Sequence, residues 1–325
     1  MAYHLPHPKK CCLCGLWRGE QKYYKPYICP SCANPEMWDM IRTLLTEAER
    51  IMKEEPRILL DLDKSSKDEE QYKILVLSFL ADLTNLCFLD HPYLKRLLKI
   101  IAHMLNQLIL RKTLVIRDAI HVADGNRYER WIKVMRCLRL LHDTGMITQT
   151  PLGKYEPSDL LKSIAPYLEQ VIITEGPRVE VKIPPRIIEC LVGLILLKGV
   201  ENTAMWLIEG ANGEPKGVIH LYPVDSGGRV FIPKKAMATL MFVLYAWYRG
   251  WREFSELDTR AYLRQRLPDS EVKDILSWLC KTYPGHRHKF IAVHHGDDEF
   301  RFSINEEYMR LRERLRERLR DRGRG

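Results

Sequence analysis

Five cysteines crowd into residues 11–32 of this 325-residue chain, and four of them form two pairs, Cys11-x-x-Cys14 and Cys29-x-x-Cys32. A tight turn of that spacing brings two sulfurs to one point, so two such turns present four soft ligands to a single ion. Four thiolates at tetrahedral distances select zinc, and a filled thiolate shell leaves no position for a reacting water. The site expected is therefore a structural Zn²⁺ held by Cys11, Cys14, Cys29 and Cys32, with Gly15 and Pro30 supplying turn chemistry. Cys12 leaves a C-x-C alternative open, and His4 or His7 could replace one ligand. The total of nine cysteines is odd, and Cys87, Cys137, Cys190 and Cys280 stand singly in apolar helical patterns. That distribution argues for metal over disulfides, with the scattered four as small core residues.

Residues 9–34 resemble a zinc ribbon, which implies two knuckles clasping one ion without fixing a partner. Beyond them, the apolar positions Ile41, Leu44, Leu45, Ala48 and Ile51 follow helical spacing until Pro56. Amphipathic patterns then predict helices over 71–89 and 91–111.

A recurring rhythm follows. A short helix near 116–123 leads through the turn Asp124-Gly125-Asn126 to a longer helix over 128–142. In that helix Trp131, Val134, Met135, Leu138 and Leu141 are expected on the buried side, with Gly145 as its left-handed C-terminal residue. Two short strands at 146–150 and 154–157 close the unit. After an alternating strand at 179–183, an apolar helix at 186–198 and a hairpin across 217–233, the rhythm returns. Helices over 235–248, 255–266 and 269–281 precede a hairpin at 289–304, and a helix with a narrow leucine stripe ends the chain. Helix, turn, helix, hairpin is the element order of winged helices, which both stretches resemble.

The fold class expected is mainly α with small β. It comprises a zinc ribbon (1–35), a helical region (36–112), a first winged helix (113–165), an α+β connector (166–234), a second winged helix (235–304) and a basic C-terminal helix (305–325). The ribbon-first layout is similar to transcription factor IIB, whose helical repeats the predicted wings and connector do not match.

The winged-helix resemblance implies a last helix laid in the major groove of DNA and a wing on phosphates. In the first unit the residues placed there are Arg127, Arg130, Lys133, Arg136 and Arg139, with Lys154 in the wing. In the second they are Lys273 and Lys281, followed by His286, Arg287, His288 and Lys289, although Asp269, Glu271 and Asp274 would repel phosphate. The formal charge of +9 favours a polyanionic partner. Aromatic residues interleave with charge around Trp17, Tyr27 and Trp247–Trp251, where core filling competes with base stacking.

Little points to catalysis. Asp61-x-Asp63 and the His294–Asp298 segment lack supporting ligands, and no phosphate-binding glycine loop, nucleophile elbow or H-E-x-x-H occurs. The apolar stretches at 74–88 and 187–197 are interrupted or too short to cross a bilayer, and the N-terminus lacks the apolar core of a secretory signal. Sequence thus leads to a cytoplasmic, zinc-containing DNA-binding protein without enzymatic activity. An interaction subunit of a larger nucleoprotein complex is the alternative, and a metal-dependent nuclease the third reading.

Overall fold

Asn34 sets the start of the first long helix: its side-chain oxygen accepts from the Met37 amide at 3.2 Å, and Pro35 fills the first turn, where a missing donor is harmless. A computed structural model describes residues 7–21, 27–62, 69–87, 92–168, 173–175, 180–209, 232, 234–279, 290–295 and 299–322. Over them the chain is mainly helical, with small antiparallel sheets.

Strands β1 (His7–Lys10) and β2 (Trp17–Gln21) pair before α1 (Pro35–Glu54), whose Met37, Ile41, Leu44, Ala48 and Ile51 are buried. Pro56 cannot continue that helix and opens a 3-10 turn, Pro56–Asp61, instead. There follow α2 (Glu69–Cys87), α3 (Pro92–Arg111), α4 (Ile116–Val122), α5 (Arg127–Asp143), the hairpin of β3 (Ile147–Gln149) and β4 (Tyr155–Pro157), and α6 (Asp159–Leu168). A small hairpin of β5 (Ile173–Glu175) and β6 (Glu180–Lys182) leads to α7 (Pro185–Ile208). The rest is α8 (Lys234–Arg249), β7 (Glu253–Ser255), α9 (Glu256–Arg264), α10 (Asp269–Leu279), β8 (Ile291–His295), β9 (Phe300–Ile304) and α11 (Glu306–Arg322).

Helices α2 and α7 form the centre of the molecule and pack along one another. Gly193 makes this approach possible, since a Cβ there would overlap the Leu80 carbonyl and sit 2.7 Å from Thr84 Oγ1. The same Thr84 hydroxyl contacts the carbonyls of Leu80, at 3.0 Å, and Glu189, at 2.9 Å. Buried Arg186 pairs with buried Asp82, and the Tyr308 hydroxyl donates to that carboxylate, tying α7, α2 and α11 together. Burial, then the Asp82 charge, pushes the Tyr308 hydroxyl well above the ordinary tyrosine value, so it stays a donor. Around this triad lie Phe79 and Trp247, with centroids 4.5 Å apart, and Phe290 against Phe79 at 5.1 Å.

Two stretches of three helices and a closing hairpin, the second with an extra strand, flank this centre. In the first unit α3, α4 and α5 pack on each other, β3 lies against α5, and the Leu114 amide donates to the Tyr155 carbonyl at 3.2 Å. In the second, α8, α9 and α10 pack together under a three-stranded sheet of order β7-β9-β8. Helix α1 contacts both α2 and α7, and also both α6 and α11, the helices that follow the two units. The buried residues form one continuous cluster from Cys11 to Leu315.

Several expectations need correction. The apolar stretch read as ending at Leu197 belongs to a helix of 24 residues, which by length and composition alone could cross a membrane; here it is buried against α2. Trp131, expected on the buried side of α5, is 46% exposed, and Met135 is only partly buried. The side facing the other helices is carried by Val134, Cys137, Leu138, Leu140 and Leu141. Strands β5 and β7 and helix α6 lie where the sequence reading placed no element. The hairpin expected across 217–233 lies outside the described residues. Gly145 does adopt the left-handed conformation, with φ of 74°, ending α5 as anticipated.

Candidate functional site

The sulfurs of Cys11, Cys14, Cys29 and Cys32 lie within 4.8 Å of one another, all four residues buried. Four ligands about 2.3 Å from one ion in tetrahedral array would be about 3.8 Å apart. The Cys14 and Cys29 sulfurs are 3.6 Å apart, which fits. Both knuckles are built by backbone: Gly15 N donates to Cys11 O at 3.0 Å, Ala33 N to Cys29 O at 2.8 Å, and Cys29 N to Cys11 Sγ at 3.3 Å. Hydrogen bonds with Cys11 hold the Cys14 and Cys29 thiols below their ordinary value, while their neighbours' sulfurs hold Cys11 and Cys32 above it. Metal binding requires the thiolate form, which the surroundings of Cys14 and Cys29 favour. Cys12 is not in the cluster; its amide donates to Tyr27 O at 2.7 Å. Among the described residues no other group of His, Cys, Asp and Glu converges in this way.

This centre is wedged between two helices far apart in sequence. Trp38, fully buried on α1, donates from Nε1 to Cys32 O at 2.6 Å. On the other side Trp17 N reaches Gln265 O at 3.5 Å, and Gly15 faces the Arg266 backbone in the α9–α10 connection. Arg266 stacks over Tyr262, 3.2 Å from the ring centroid, and its charge favours the Cys14 thiolate. Burial, then the charge on Cys14, keeps Tyr262 protonated well above the usual tyrosine range. No cysteine pattern identifies Tyr262, Gln265 or Arg266 as the brace, because they adjoin the site only through tertiary packing.

No protein-family model, curated protein or solved structure matches this chain. What it can do must therefore be read from its own side chains.

The basic residues of α5 do not form one face. Arg127, Arg130, Lys133, Arg136 and Arg139 recur every third position, and at about 100° per residue such a row drifts about 60° each step, spiralling over about 240° of the helix. Arg127 is exposed at the helix start; Arg130 Nε and Lys133 Nζ fold back to the Gly125 and Asp124 carbonyls, at 2.6 and 2.5 Å. Arg136 is half-buried, Arg139 pairs with Asp143 at 3.5 Å, and Lys154 is exposed beside the β3–β4 turn. Away from the buried side stands Tyr128, 71% exposed, and at the edge of the buried stripe Trp131, 46% exposed, with Leu152 in the hairpin turn 84% exposed.

In the second unit Lys273 is exposed on α10, whose Asp269, Glu271 and Asp274 outnumber it. Arg287 and Lys289, together with Lys281, His286 and His288, lie outside the described residues. Several α11 arginines are engaged with the body of the protein. Arg318 pairs with Glu47 at 2.9 Å and stacks over Tyr72, and Arg312 Nε donates to Tyr248 O at 2.9 Å. Of the carboxylates considered for nuclease chemistry, Asp61 closes the 3-10 turn, while Asp63, Asp297 and Asp298 are outside the described residues.

Proposed function

We propose that the chain is a zinc-containing DNA-binding protein without catalytic activity, a transcription regulator or basal-factor-like protein built on a zinc ribbon and two winged-helix-like units. The observation that carries this reading is the contrast in charge between two units of one topology. Helix α5 holds five Lys and Arg against Glu129 and Asp143, beside a hairpin bearing Lys154. Such a helix and wing suit a phosphate backbone.

Support for the winged-helix assignment comes from the order β7-β9-β8, in which the strand between the first two helices of the unit joins the terminal hairpin. Leu114 occupies the equivalent place in the first unit through its bond to Tyr155. For the metal, four buried sulfurs, joined among the described residues by no nitrogen or oxygen donor, favour Zn²⁺, in a role that joins α1 to the α9–α10 connection rather than activating water.

A second reading, an interaction subunit of a nucleoprotein complex, is favoured by α10, whose acidic start suits a protein surface better than DNA. The two separate in an electrophoretic shift with duplex DNA at two salt concentrations. Binding that weakens steeply with salt, and whose slope falls by about 0.9 for each phosphate contact removed by Arg127→Ala and Arg139→Ala, supports the first. No binding at low salt refutes it and leaves the docking role.

A further inference from the structure

Among the charged side chains exposed on α5 stand two aromatic rings, which reading the edges of a duplex does not require. Tyr128 and Trp131 stand one turn apart on the same side of the helix, 71% and 46% exposed, and the intervening positions place no charge between them on that side. Two large rings exposed side by side form an apolar patch of the kind that marks an interaction surface, and burying them against a partner would be favourable. The surroundings identify the chemistry of the partner. Between Arg111 and Glu156 there are nine Lys and Arg against five Asp and Glu. Arg127 precedes Tyr128, Arg139 lies two turns beyond Trp131, and Lys154 follows the exposed Leu152 in the hairpin packed on α5. An apolar protein partner would face this excess of positive charge, whereas a nucleic acid brings both a polyanion and flat apolar surfaces.

Intact duplex does not offer those surfaces. Its major groove presents base edges, while the ring faces are closed off by stacking. An unpaired base offers its whole face to an aromatic side chain, and each such stack strengthens binding by about five- to 150-fold. We propose that the first unit engages DNA carrying unpaired bases next to duplex, with Tyr128 and Trp131 stacking on the unpaired bases while Arg127, Arg139 and Lys154 hold phosphates. This rests on the nucleic-acid reading above and adds the kind of DNA recognised.

The test uses the full chain with three labelled DNAs of matched sequence: a blunt duplex, the same duplex with a single-stranded tail, and the tail strand alone. The wild type should bind tailed DNA at least about 25-fold more tightly than blunt duplex, given the value of two stacks. Tyr128→Ala with Trp131→Ala should bring tailed DNA to the duplex level and leave duplex affinity unchanged; Tyr128→Phe with Trp131→Phe should keep most of the preference. Equal binding of blunt and tailed DNA by the wild type overturns this inference while the DNA-binding reading stands. Equal loss on both DNAs in the alanine variant overturns it too, as does a concentration-dependent dimer in sedimentation that the alanine variant abolishes. Failure of all three DNAs to bind at low salt refutes the DNA-binding reading itself.

Discussion

The first and second units each run through three helices and a closing hairpin, the second with the additional strand β7, yet they treat the connection between their last two helices in opposite ways. In the second unit that connection, at Gln265 and Arg266, is covered by the metal module, and the following helix carries Asp269, Glu271 and Asp274. In the first unit Asp124, Gly125 and Asn126 are exposed, capped only by the helix's own residues: Asn126 accepts from Glu129 N at 3.0 Å, and Arg130 and Lys133 fold onto the turn. One topology thus serves as an internal platform in one place and as an outward surface in the other. What separates them is side-chain placement, which is why a shared fold is weak evidence for a shared role.

The largest effect should come from removing the metal ligands, which would abolish the platform. Cys29→Ser is expected to lose stoichiometric metal, since a structural zinc contributes on the order of 10 kcal/mol to the state that binds it. Elemental analysis would record the loss. Hydrogen exchange should then rise in the first turn of α1 and at Gln265–Arg266 but not at Asp124–Asn126, because among the described residues the module's hydrogen bonds reach α1 and the second unit's connection.

Next in size is the charged triad between the units. Asp82→Ala removes the nearer of the two carboxylates that face buried Arg186 and leaves Glu189 at 3.5 Å, so the expected loss in urea unfolding is at most about 3–5 kcal/mol. Replacing both Asp82 and Arg186 by Leu should cost far less. A single transition reporting on both units would show that the α2–α7 centre couples them; two transitions would show that they melt independently. Gly193→Ala tests the same centre more gently. The added methyl must displace the Leu80 carbonyl, costing about 1–3 kcal/mol without altering metal content.

The smallest effect probes the surfaces alone. Arg127→Ala with Arg139→Ala is expected to weaken DNA binding by about tenfold at low salt, equivalent to about 1.4 kcal/mol, with the melting temperature nearly unchanged. Lys273→Ala on α10 should change binding little, and a loss as large as that of the α5 variant would erase the contrast between the units.

Sequence carried much of this. The Cys11–Cys14 and Cys29–Cys32 pairs, the span of α4 and α5, the left-handed Gly145 and the paired strands closing each unit were legible because each depends on neighbours a few residues away. Even the spiral of Arg127 to Arg139 is arithmetic on helix geometry, although a row of basic letters invites reading it as one face. Trp131 shows the limit: its spacing is compatible with either edge of the buried stripe, and only the packing of α3 and α4 on α5 leaves it outside.

By itself the sequence determined most of the long helices and the two cysteine pairs, since hydrogen-bonding period, caps and tight turns are short-range matters. Tertiary structure alone decided that α2 and α7 pair at Gly193, that Asp82 meets Arg186 and Tyr308, and that the metal module rests on Arg266. Those contacts join residues 100 to 250 positions apart, and the choice among many apolar or charged partners is settled by which surfaces fit together, a property that no window of neighbouring residues contains.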